Sequence, residues 1–384
     1  MGFRGYKRPD GKCGVRNHVM VLSSVSCANG VVNAIGREVP EVKAITHPEG
    51  CGRGIADVEI TSRTVSGLCK NPNVAAVLII GLGCEFMKAP QVADQIEGSG
   101  RPVKSLVIQE LGGTKKTTAK GVEIARNMLA EAGSLEREEC GWDKLVLGLE
   151  CGGSDALSGV TANPLVGLAA DWLVEQGGTV ILSETTEMIG TEDILSRRAA
   201  ASEIGEKVYG LIKDHRKFVK DTLGPFASMV ISPGNVEGGL SNITEKSLGC
   251  IIKGGTSPVT EVIDYGAEPS ARGLVIMDTP GSDVFSLTGM AAGGAQIMVF
   301  TTGRGSPVGF PIVPVVKVAS NSEMFNTMED DMDVNAGRLL EGVNIRDAGD
   351  ELVGLLKRVA EGEQPKAEIN RQDCLSIHTV GPAF

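Results

Sequence analysis

Short apolar runs alternate with amphipathic stretches along the first third of the chain. The runs are rich in β-branched residues and nearly all apolar, which is typical of strands buried on both faces of a parallel sheet. The stretches between them repeat their apolar positions with helical spacing. The pattern predicts strands at 18–25, 42–47, 75–81 and 104–110 and helices at 28–37, 56–68, 89–96 and 117–132. This alternation indicates a doubly wound α/β domain.

A charged segment at 135–143 interrupts the rhythm, and the alternation then starts again. We therefore predict an α/β fold with two α/β domains, 1–137 and 138–384, each with mostly parallel strands flanked by helices. The second domain carries a polar helical insertion at 191–223, followed by a loop rich in glycine and proline. The residues from 361 onward have the character of a C-terminal tail that only a partner would order.

Composition narrows the range of functions. The formal charge is −11, so we expect no nucleic-acid partner, because such proteins usually present a basic face. No apolar run approaches the roughly 20 residues that span a bilayer, so we expect no membrane partner and a cytoplasmic protein that acts on a small molecule. The 9 cysteines include no CxxC pair. Any metal role must come from cysteines that are distant in sequence.

Three cysteines stand at the carboxyl ends of apolar runs, each in a glycine-rich turn: Cys51 in HPEGCG, Cys84 in GLGCE and Cys151 in LECGGSD. In an open α/β sheet, ligands bind at this edge. We predict that the three thiolates form a metal site, and a [4Fe–4S] cluster held by three cysteines would leave one iron open to substrate. The alternative is that they pack as small hydrophobes. We expect this packed or inert role for Cys13, Cys69, Cys140, Cys250 and Cys374.

Three residues are candidates for acid–base work. His47 lies in the same predicted loop as Cys51 and is the leading base, although a lone histidine is more often structural. Asp155 and Glu184 follow two predicted strands of the second domain and rank behind His47. A different interpretation treats the cysteines as core residues and gives a mononuclear Mg²⁺ or Fe²⁺ oxygen ligands from Asp155, Glu184 and Asp278.

The segment CGGSDALSGVTANP offers a substrate site. Its two glycines allow backbone amides to form an anion nest, and Ser154, Thr161 and Asn163 add polar groups suited to a polyhydroxy acid. Ordinary helix capping explains Asn163 equally well, since it precedes a proline. Arg304, between two glycines in TTGRGSP, is placed to clamp a substrate carboxylate, although an exposed loop arginine would look the same.

Together, the motifs GYKRPDGKCGVRNH, HPEGCG, GLGCE, CGGSD with SGVTANP, SPGNVEGGLSN and FTTGRGSPVG resemble the altronate/galactarate dehydratase family of sugar-acid hydro-lyases. The resemblance runs from about residue 5 to at least residue 337. It implies a carbon–oxygen lyase that removes water from a sugar acid, giving a 2-keto-3-deoxy acid with the help of iron or another divalent cation. The preference for iron over zinc comes from this resemblance.

The resemblance implies that single-chain members of the family carry a small β-rich domain ahead of the region that is similar to this chain. The resemblance is therefore to a large subunit, and it implies a separate small β-rich subunit and an oligomeric assembly. Sulfolactate sulfo-lyase large subunits are also similar, but their pattern lacks the cysteines of HPEGCG and GLGCE, so a hydro-lyase is favoured. A third alternative is a subunit that binds iron or a sugar acid without catalysis.

Overall fold

The computed structural model describes residues 2–384, apart from the side chains at 228 and 229. Both repeating patterns of the sequence become α/β layers, and the α/β fold class is confirmed. The strands are β1 Gly2–Lys7, β2 Cys13–Gly14, β3 His18–Ser23, β4 Lys43–Ile45, β5 Val74–Gly81, β6 Val103–Val107, β7 Glu138–Gly141, β8 Val146–Cys151, β9 Thr179–Leu182, β10 Val259–Ile263, β11 Gly273–Met277, β12 Ile297–Thr302, β13 Val315–Ala319 and β14 Val334–Asn335.

Fourteen α-helices connect these strands within residues 2–384. No helix in the described part of the chain is long and apolar enough to cross a membrane. The helices are α1 Asn29–Glu38, α2 Ile55–Lys70, α3 Ala89–Glu97, α4 Ile108–Leu111, α5 Thr114–Gly133, α6 Ala162–Glu175, α7 Glu192–Arg197, α8 Ser202–Leu223, α9 Pro233–Glu237, α10 Ile243–Cys250, α11 Asp283–Ala292, α12 Ser322–Thr327, α13 Ile345–Ala360 and α14 Lys366–Ile369.

The first sheet has four parallel strands in the order β4-β3-β5-β6. Alternate residues of β3 and β5 point to opposite faces, and both faces are buried. Val21 and Leu78 pack with α1 and α5 on one face, while Met20 and Ile79 pack with α2 and α3 on the other. This is the doubly wound arrangement that the apolar runs predicted.

The second sheet has seven parallel strands in the order β10-β11-β9-β8-β12-β13-β14. Helices α6 and α13 cover one face, and α11 covers the other. The strand β8 is the first strand of this sheet in sequence and lies between β9 and β12. Later strands are added on both of its sides, so the strand order changes direction at β8. This topological switch point opens a crevice at the carboxyl end of β8, where ligands of such sheets bind.

The two sheets share one apolar core, because α2 of the first packs against α11 of the second. Asn71 at the end of α2 donates to the carbonyls of Ala291 and Ala295 at 2.8 and 2.9 Å, which ties the carboxyl ends of the two helices together. A small antiparallel sheet, β2-β1-β7, joins the first residues of the chain to the segment before β8. Phe3 of β1 is buried in the core of the second sheet.

Two expectations from the sequence differ from the structure. The polar stretch at 191–223 is not one helix: α7 and α8 are separated by a break where the amide of Ala200 donates to the carbonyl of Val259 at 2.8 Å. The C-terminal tail is ordered by the chain itself. Its Ile377 side chain is 2% exposed, and the Val380 amide donates to Asp57 of α2 at 2.6 Å. A buried apolar side chain and a carboxylate partner explain this order without another molecule.

Candidate active site

Cys151 occupies the last position of β8, at the switch point of the second sheet. Its neighbour in β12 is Thr301, whose hydroxyl donates to Asn163 of α6 at 2.7 Å, so Cys151 lies on the face of the sheet covered by α6. Glu150, one residue earlier, points to the opposite face. The strand therefore carries buried polar side chains to both sides of its carboxyl end.

Four donor side chains meet around Cys151. Candidate ligand atoms of Cys151, Glu184, Glu187 and Cys250 all lie within 4.8 Å of one another, and each residue is at most 3% exposed. The Cys151 Sγ is 2.9 Å from the Glu187 Oε2, 3.7 Å from the Cys250 Sγ and 3.9 Å from the Glu184 Oε1. We call these four residues the thiol–carboxylate group. In the described part of the chain, no other set of three or more Cys, His, Asp or Glu residues meets in this way.

Two lysines balance the charge of this group. Lys253 and Glu184 form a fully buried ion pair with 2.5 Å between Nζ and Oε2, and Lys246 of α10 pairs with Glu187. The same Oε2 atom of Glu184 also accepts a hydrogen bond from the amide of Cys151 at 3.0 Å. Buried carboxylates need partners of this kind, because an unpaired charge in the interior is costly.

Burial and neighbouring charge give the acids opposite protonation tendencies. Burial, followed by the nearby Glu187, raises the pKa of Glu184 to about 7. Burial acts in the same direction on Glu187, but Lys246 and Lys253 outweigh it and lower the pKa of that carboxyl. The Cys250 thiol, followed by burial, raises the pKa of the Cys151 thiol well above its ordinary value. One buried acid is thus held ionised beside another that readily takes up a proton.

The backbone at Glu184 is unusual. Its φ of 71° and ψ of 63° are left-handed, a conformation that non-glycine residues rarely adopt. The amide of Glu184 donates to the Thr279 hydroxyl at 2.7 Å, which holds the turn in place after β9. Such strain persists only where the surroundings impose it, and it is concentrated at functional sites.

Two cavities open on either side of the loop that follows Cys151. One, of about 430 Å³, is lined by Gly152, Glu187, Lys246 and Asp283 among others. The other, of about 280 Å³, is lined by Cys151, Ser154, Asn163 and again Lys246. Gly152 is required here, because a Cβ at this position would lie 2.3 Å from the Asp283 Oδ2. The thiol–carboxylate group therefore adjoins open space large enough for a small organic acid.

The thiol–carboxylate group fits a divalent metal ion. Two thiols and two carboxylates are a mixed soft and hard donor set, which suits iron or zinc better than magnesium or calcium. Complete burial and the strained turn at Glu184 fix the donors in place. Metal binding would deprotonate the two thiols.

The predicted substrate residues lie around this group but differ in what their atoms already contact. The Ser154 hydroxyl is buried and has no partner among the described residues, so it is available to a ligand. The Thr161 hydroxyl lies 2.9 and 2.7 Å from the carbonyls of Leu157 and Ser320. Asn163 donates to the carbonyl of Gly249, beside Cys250, at 2.9 Å. Thr161 and Asn163 thus position neighbouring loops in this structure.

Asp155 is buried and fully hydrogen-bonded. Its carboxylate accepts from the Ser158 amide and hydroxyl at 2.8 Å each, from the Ser320 hydroxyl at 2.8 and 2.9 Å, and from Asn321 at 3.1 Å. These bonds tie the loop after β8 to the loop after β13. A carboxylate engaged in this way favours a positioning role over proton abstraction.

Arg304 lies at the mouth of the site. Its amide donates to the Gly153 carbonyl at 2.8 Å, and its guanidinium pairs with Glu237 at 2.9 Å. Both side chains are about half exposed or more, at 47% and 64%. A substrate carboxylate therefore has steric access to Arg304 and can replace Glu237 as its partner.

The structure places the other three predicted residues on the first sheet. Cys51 and Cys84 lie in the loops after β4 and β5, and both are exposed. His47 is 2% exposed, with its Nε2 2.8 Å from the Ser23 carbonyl, and burial lowers its pKa. Because Nε2 must donate to that carbonyl, Nδ1 carries the lone pair, and it has no partner among the described residues. None of the three belongs to the thiol–carboxylate group, so their roles stay predictions.

Sequence reasoning assigned no role to Cys250, Lys246 or Lys253. Cys250 ends α10 and was expected to be an ordinary packed or inert cysteine; it is buried, but it packs against Cys151. One signal was available: TEKSLGCIIKG places Lys246, Cys250 and Lys253 three to four residues apart, on one side of a helix. A buried helix face with two lysines and a cysteine is an unusual pattern.

An open α/β fold with ionised and thiol side chains buried at its switch point is the architecture of an enzyme that acts on small molecules. Comparison with known proteins narrows the class. The family model described as "D-galactarate/Altronate dehydratase, C-terminal" matches residues 142–383, and "D-galactarate dehydratase/Altronate hydrolase, second domain" matches residues 5–133. The chain belongs to this galactarate/altronate dehydratase family.

Curated relatives agree with this membership. The chain is 37% identical to altronate dehydratase of Bacillus subtilis, over 99% of this chain and 78% of that protein. It is 36% identical to the (2R)-sulfolactate sulfo-lyase subunit beta of Chromohalobacter salexigens, over 95% and 94%. It is also 36% identical to galactarate dehydratase (L-threo-forming) of Escherichia coli, over 94% and 73%. The predicted family and the enzyme class, a carbon–oxygen lyase, are confirmed.

Proposed function

We propose that this protein removes water from a sugar acid such as altronate or galactarate and forms a 2-keto-3-deoxy acid. The observation that carries the proposal is the thiol–carboxylate group, which lies at the switch point beside two cavities and whose carboxylates pair with two lysines. The dehydratase relatives support the same reaction class. The choice between altronate, galactarate and other sugar acids is left to experiment.

The larger cavity supports a polyhydroxy acid as substrate. Its wall supplies hydroxyl groups, an amide, two carboxyl groups and the ammonium of Lys246. Burial opposes a charged Lys246, but Glu187 outweighs it and raises the pKa of the ammonium, so Lys246 stays protonated. A fixed cation beside several hydrogen-bonding groups is suited to a substrate that carries one carboxylate and several hydroxyls.

The acid–base assignment follows from the protonation tendencies of the cavity wall. Glu187, held ionised by Lys246 and Lys253, takes the α proton of the substrate. Burial, followed by the charge of Glu187, raises the pKa of Asp283, which favours this carboxyl as the acid that protonates the departing β hydroxyl, and the hydroxyl leaves as water. Lys246 stabilises the enolate, and the enol then tautomerises to the 2-keto acid. His47, Asp155 and Glu184 remain the alternative bases.

We propose that a divalent ion, iron first, is held by Cys151, Cys250 and Glu184, while Glu187 beside it serves as the base. When bound, the ion would supply Lewis acidity toward the substrate carboxylate or hydroxyl. A [4Fe–4S] cluster that also uses Cys51 and Cys84 is the alternative. The presence of two carboxylates next to Cys151 favours a mononuclear ion, because cluster iron is usually held by thiolates.

The proposed enzyme includes a second polypeptide. The relative named sulfo-lyase subunit beta, of which this chain covers 94%, is by its name one subunit of an assembly. We propose that this chain likewise acts with a small β-rich subunit, in an oligomer. The same relative makes sulfite elimination from a sulfolactate the second candidate function, since the chain covers more of it than of the dehydratases.

The test is a substrate screen with the metal-loaded protein, prepared anaerobically with and without a co-expressed small subunit. Altronate, galactarate and (2R)-sulfolactate are assayed for 2-keto acid and for sulfite. We expect a 2-keto acid from a sugar acid, with most of this activity lost in Glu187→Gln and Asp283→Asn and retained in the exposed control Asp193→Asn. Sulfite release alone would establish the second candidate. No turnover of any substrate in the reconstituted pair would leave a binding subunit as the function.

A further inference from the structure

Lys317 lies in the middle of β13 and is buried without a hydrogen-bonding partner. Its side chain is 0% exposed, and no group among the described residues hydrogen-bonds to its Nζ. The Nζ lies 3.6 Å from the centre of the Phe300 ring, which is also fully buried. A lysine is almost never buried completely unless it is paired, and one aromatic ring compensates only part of the cost of burying an ammonium. This unusual position argues for a role beyond packing.

Lys317 belongs to a row of side chains that crosses the second sheet. Phe300 of β12 pairs with Lys317 on one side and with Glu150 of β8 on the other. Residues that are paired across neighbouring strands point to the same face, and Phe300 packs with α11 on that face. Because Glu150 directly precedes Cys151, the row reaches the candidate active site from the face of the sheet opposite Cys151.

The Phe300 ring lies between Lys317 and Asp283, the acid of the proposed reaction. A Cβ at Gly152 would lie 2.3 Å from the Asp283 Oδ2 and 2.6 Å from the Phe300 Cζ, so the carboxyl and the tip of the ring are close neighbours. Asp283 also lines the cavity of about 430 Å³. One aromatic ring therefore contacts the buried amine with its face and lies beside the cavity acid with its tip.

Four acids surround Lys317, and three of them have other partners. Glu150 accepts hydrogen bonds from two serine hydroxyls, Asp333 accepts from two backbone amides at 2.7 and 2.9 Å, and Asp331 lies 3.4 Å from an asparagine amide. Burial lowers the pKa of Lys317 to about 7, and the largest opposing effect comes from the fourth acid, Asp283. Of these acids, Asp283 alone lines the larger cavity in the described part of the chain.

We propose that Lys317 is the charge partner of Asp283 and thereby a positioning residue for the proposed reaction, on which this catalytic role rests. When Asp283 protonates the β hydroxyl, its O–H bond breaks, the proton leaves in the departing water, and the electron pair stays on the carboxylate. The ammonium of Lys317, across the Phe300 ring, stabilises that carboxylate and keeps its own proton. A direct ion pair would hold Asp283 ionised, whereas the intervening ring leaves the carboxyl able to take up a proton for the next turnover.

The first test measures the pairing and does not depend on turnover. In the full chain labelled with ¹³C and ¹⁵N at lysine, the Lys317 side-chain resonance is identified by its absence from Lys317→Met and is titrated by NMR. We expect the Lys317 pKa to be lower by about 1 in Asp283→Asn than in the wild type, because the carboxylate that favours the ammonium is gone. Asp193→Asn, at an exposed position of α7, should leave the Lys317 pKa unchanged. An unchanged value in Asp283→Asn would overturn the proposal.

The second test uses a sugar acid that the wild type turns over. Lys317→Met should lower kcat about tenfold or more, leave KM within about twofold, and move the basic limb of the kcat profile up by about one pH unit, because Asp283 loses its charge partner. Lys213→Met, at an exposed position of α8, is the matched control. A merely structural Lys317 would alter stability and leave the pH profile in place, and that result would overturn the proposal. If no sugar acid is turned over, the proposed reaction fails, and the lysine titration alone decides the pairing.

Discussion

Replacing Lys253 with methionine tests whether buried ion pairs hold the candidate active site together. Lys253 and Glu184 are fully buried, and their Nζ and Oε2 lie 2.5 Å apart. Methionine retains much of the side-chain volume but leaves the Glu184 carboxylate without its cation. Removing one partner of a buried pair costs about 3–5 kcal/mol. We expect the metal-free protein to lose about that much free energy of unfolding at a pH of about 8.

The loss should depend on pH, with a defined sign. Burial, followed by Glu187, already raises the pKa of Glu184 to about 7, and removal of Lys253 raises it further. Between the unfolded and folded pKa values, the folded variant then binds more protons than the unfolded chain. Its stability is therefore greatest below the unfolded pKa and falls as the pH rises toward the folded value. The loss caused by the substitution should be smaller at a pH of about 5.5 than at about 8.

The assay is urea denaturation in the presence of a chelator, so that metal binding does not enter the comparison. The double variant Lys253→Met with Glu184→Gln should recover most of the lost stability, because no uncompensated charge remains. Lys213→Met, an exposed position on α8, is the control. Strict additivity of the two single changes, or a loss below about 1 kcal/mol, would refute the reasoning about this pair.

Two further predictions use other buried features. Lys317 is fully buried, and burial lowers its pKa to about 7, so above that pH the unfolded chain binds more protons than the folded protein. The free energy of unfolding, measured by urea denaturation, should therefore rise by up to about 1.4 kcal/mol per pH unit from pH 7 toward 10. The variant Lys317→Met should lack this rise. Gly152→Ala brings a methyl group to 2.3 Å from Asp283. Thermal denaturation should show a loss of about 1–3 kcal/mol in the free energy of unfolding, and kinetic assays should show a loss of turnover. The control Gly30→Ala, in open space on α1, should stabilise by about 0.5–1 kcal/mol; an unchanged Gly152 variant would contradict the packing argument.

The sequence was most informative where apolar periodicity determines the structure. The strands β3 and β5 were predicted within about two residues, because their buried faces require continuous apolar runs. The placement of Cys151 and Glu184 at one sheet edge followed from the same rule. The short strands β1, β2 and β7 carry no such run, since their pairing depends on contacts between distant segments.

The composition of the candidate site was less accessible to sequence. The edge rule places Cys51, Cys84 and Cys151 at carboxyl ends of strands, but it does not say whether the edges of two separate sheets form one site. Cys250 reaches Cys151 from the end of a helix 99 residues later, a contact set by tertiary packing alone. The pairing of Lys246 and Lys253 with the two glutamates depends on the same tertiary packing, so the local sequence pattern did not predict it.

The most direct test of the central claim is the metal content of cysteine variants purified anaerobically. The account predicts that one divalent ion per chain is retained in the double variant Cys51→Ser with Cys84→Ser and is lost in Cys151→Ser and in Cys250→Ser, with no acid-labile sulfide in any of them. Loss of metal from the Cys51 and Cys84 variant, together with stoichiometric sulfide in the wild type, would contradict the account and place an iron–sulfur cluster on all three predicted cysteines.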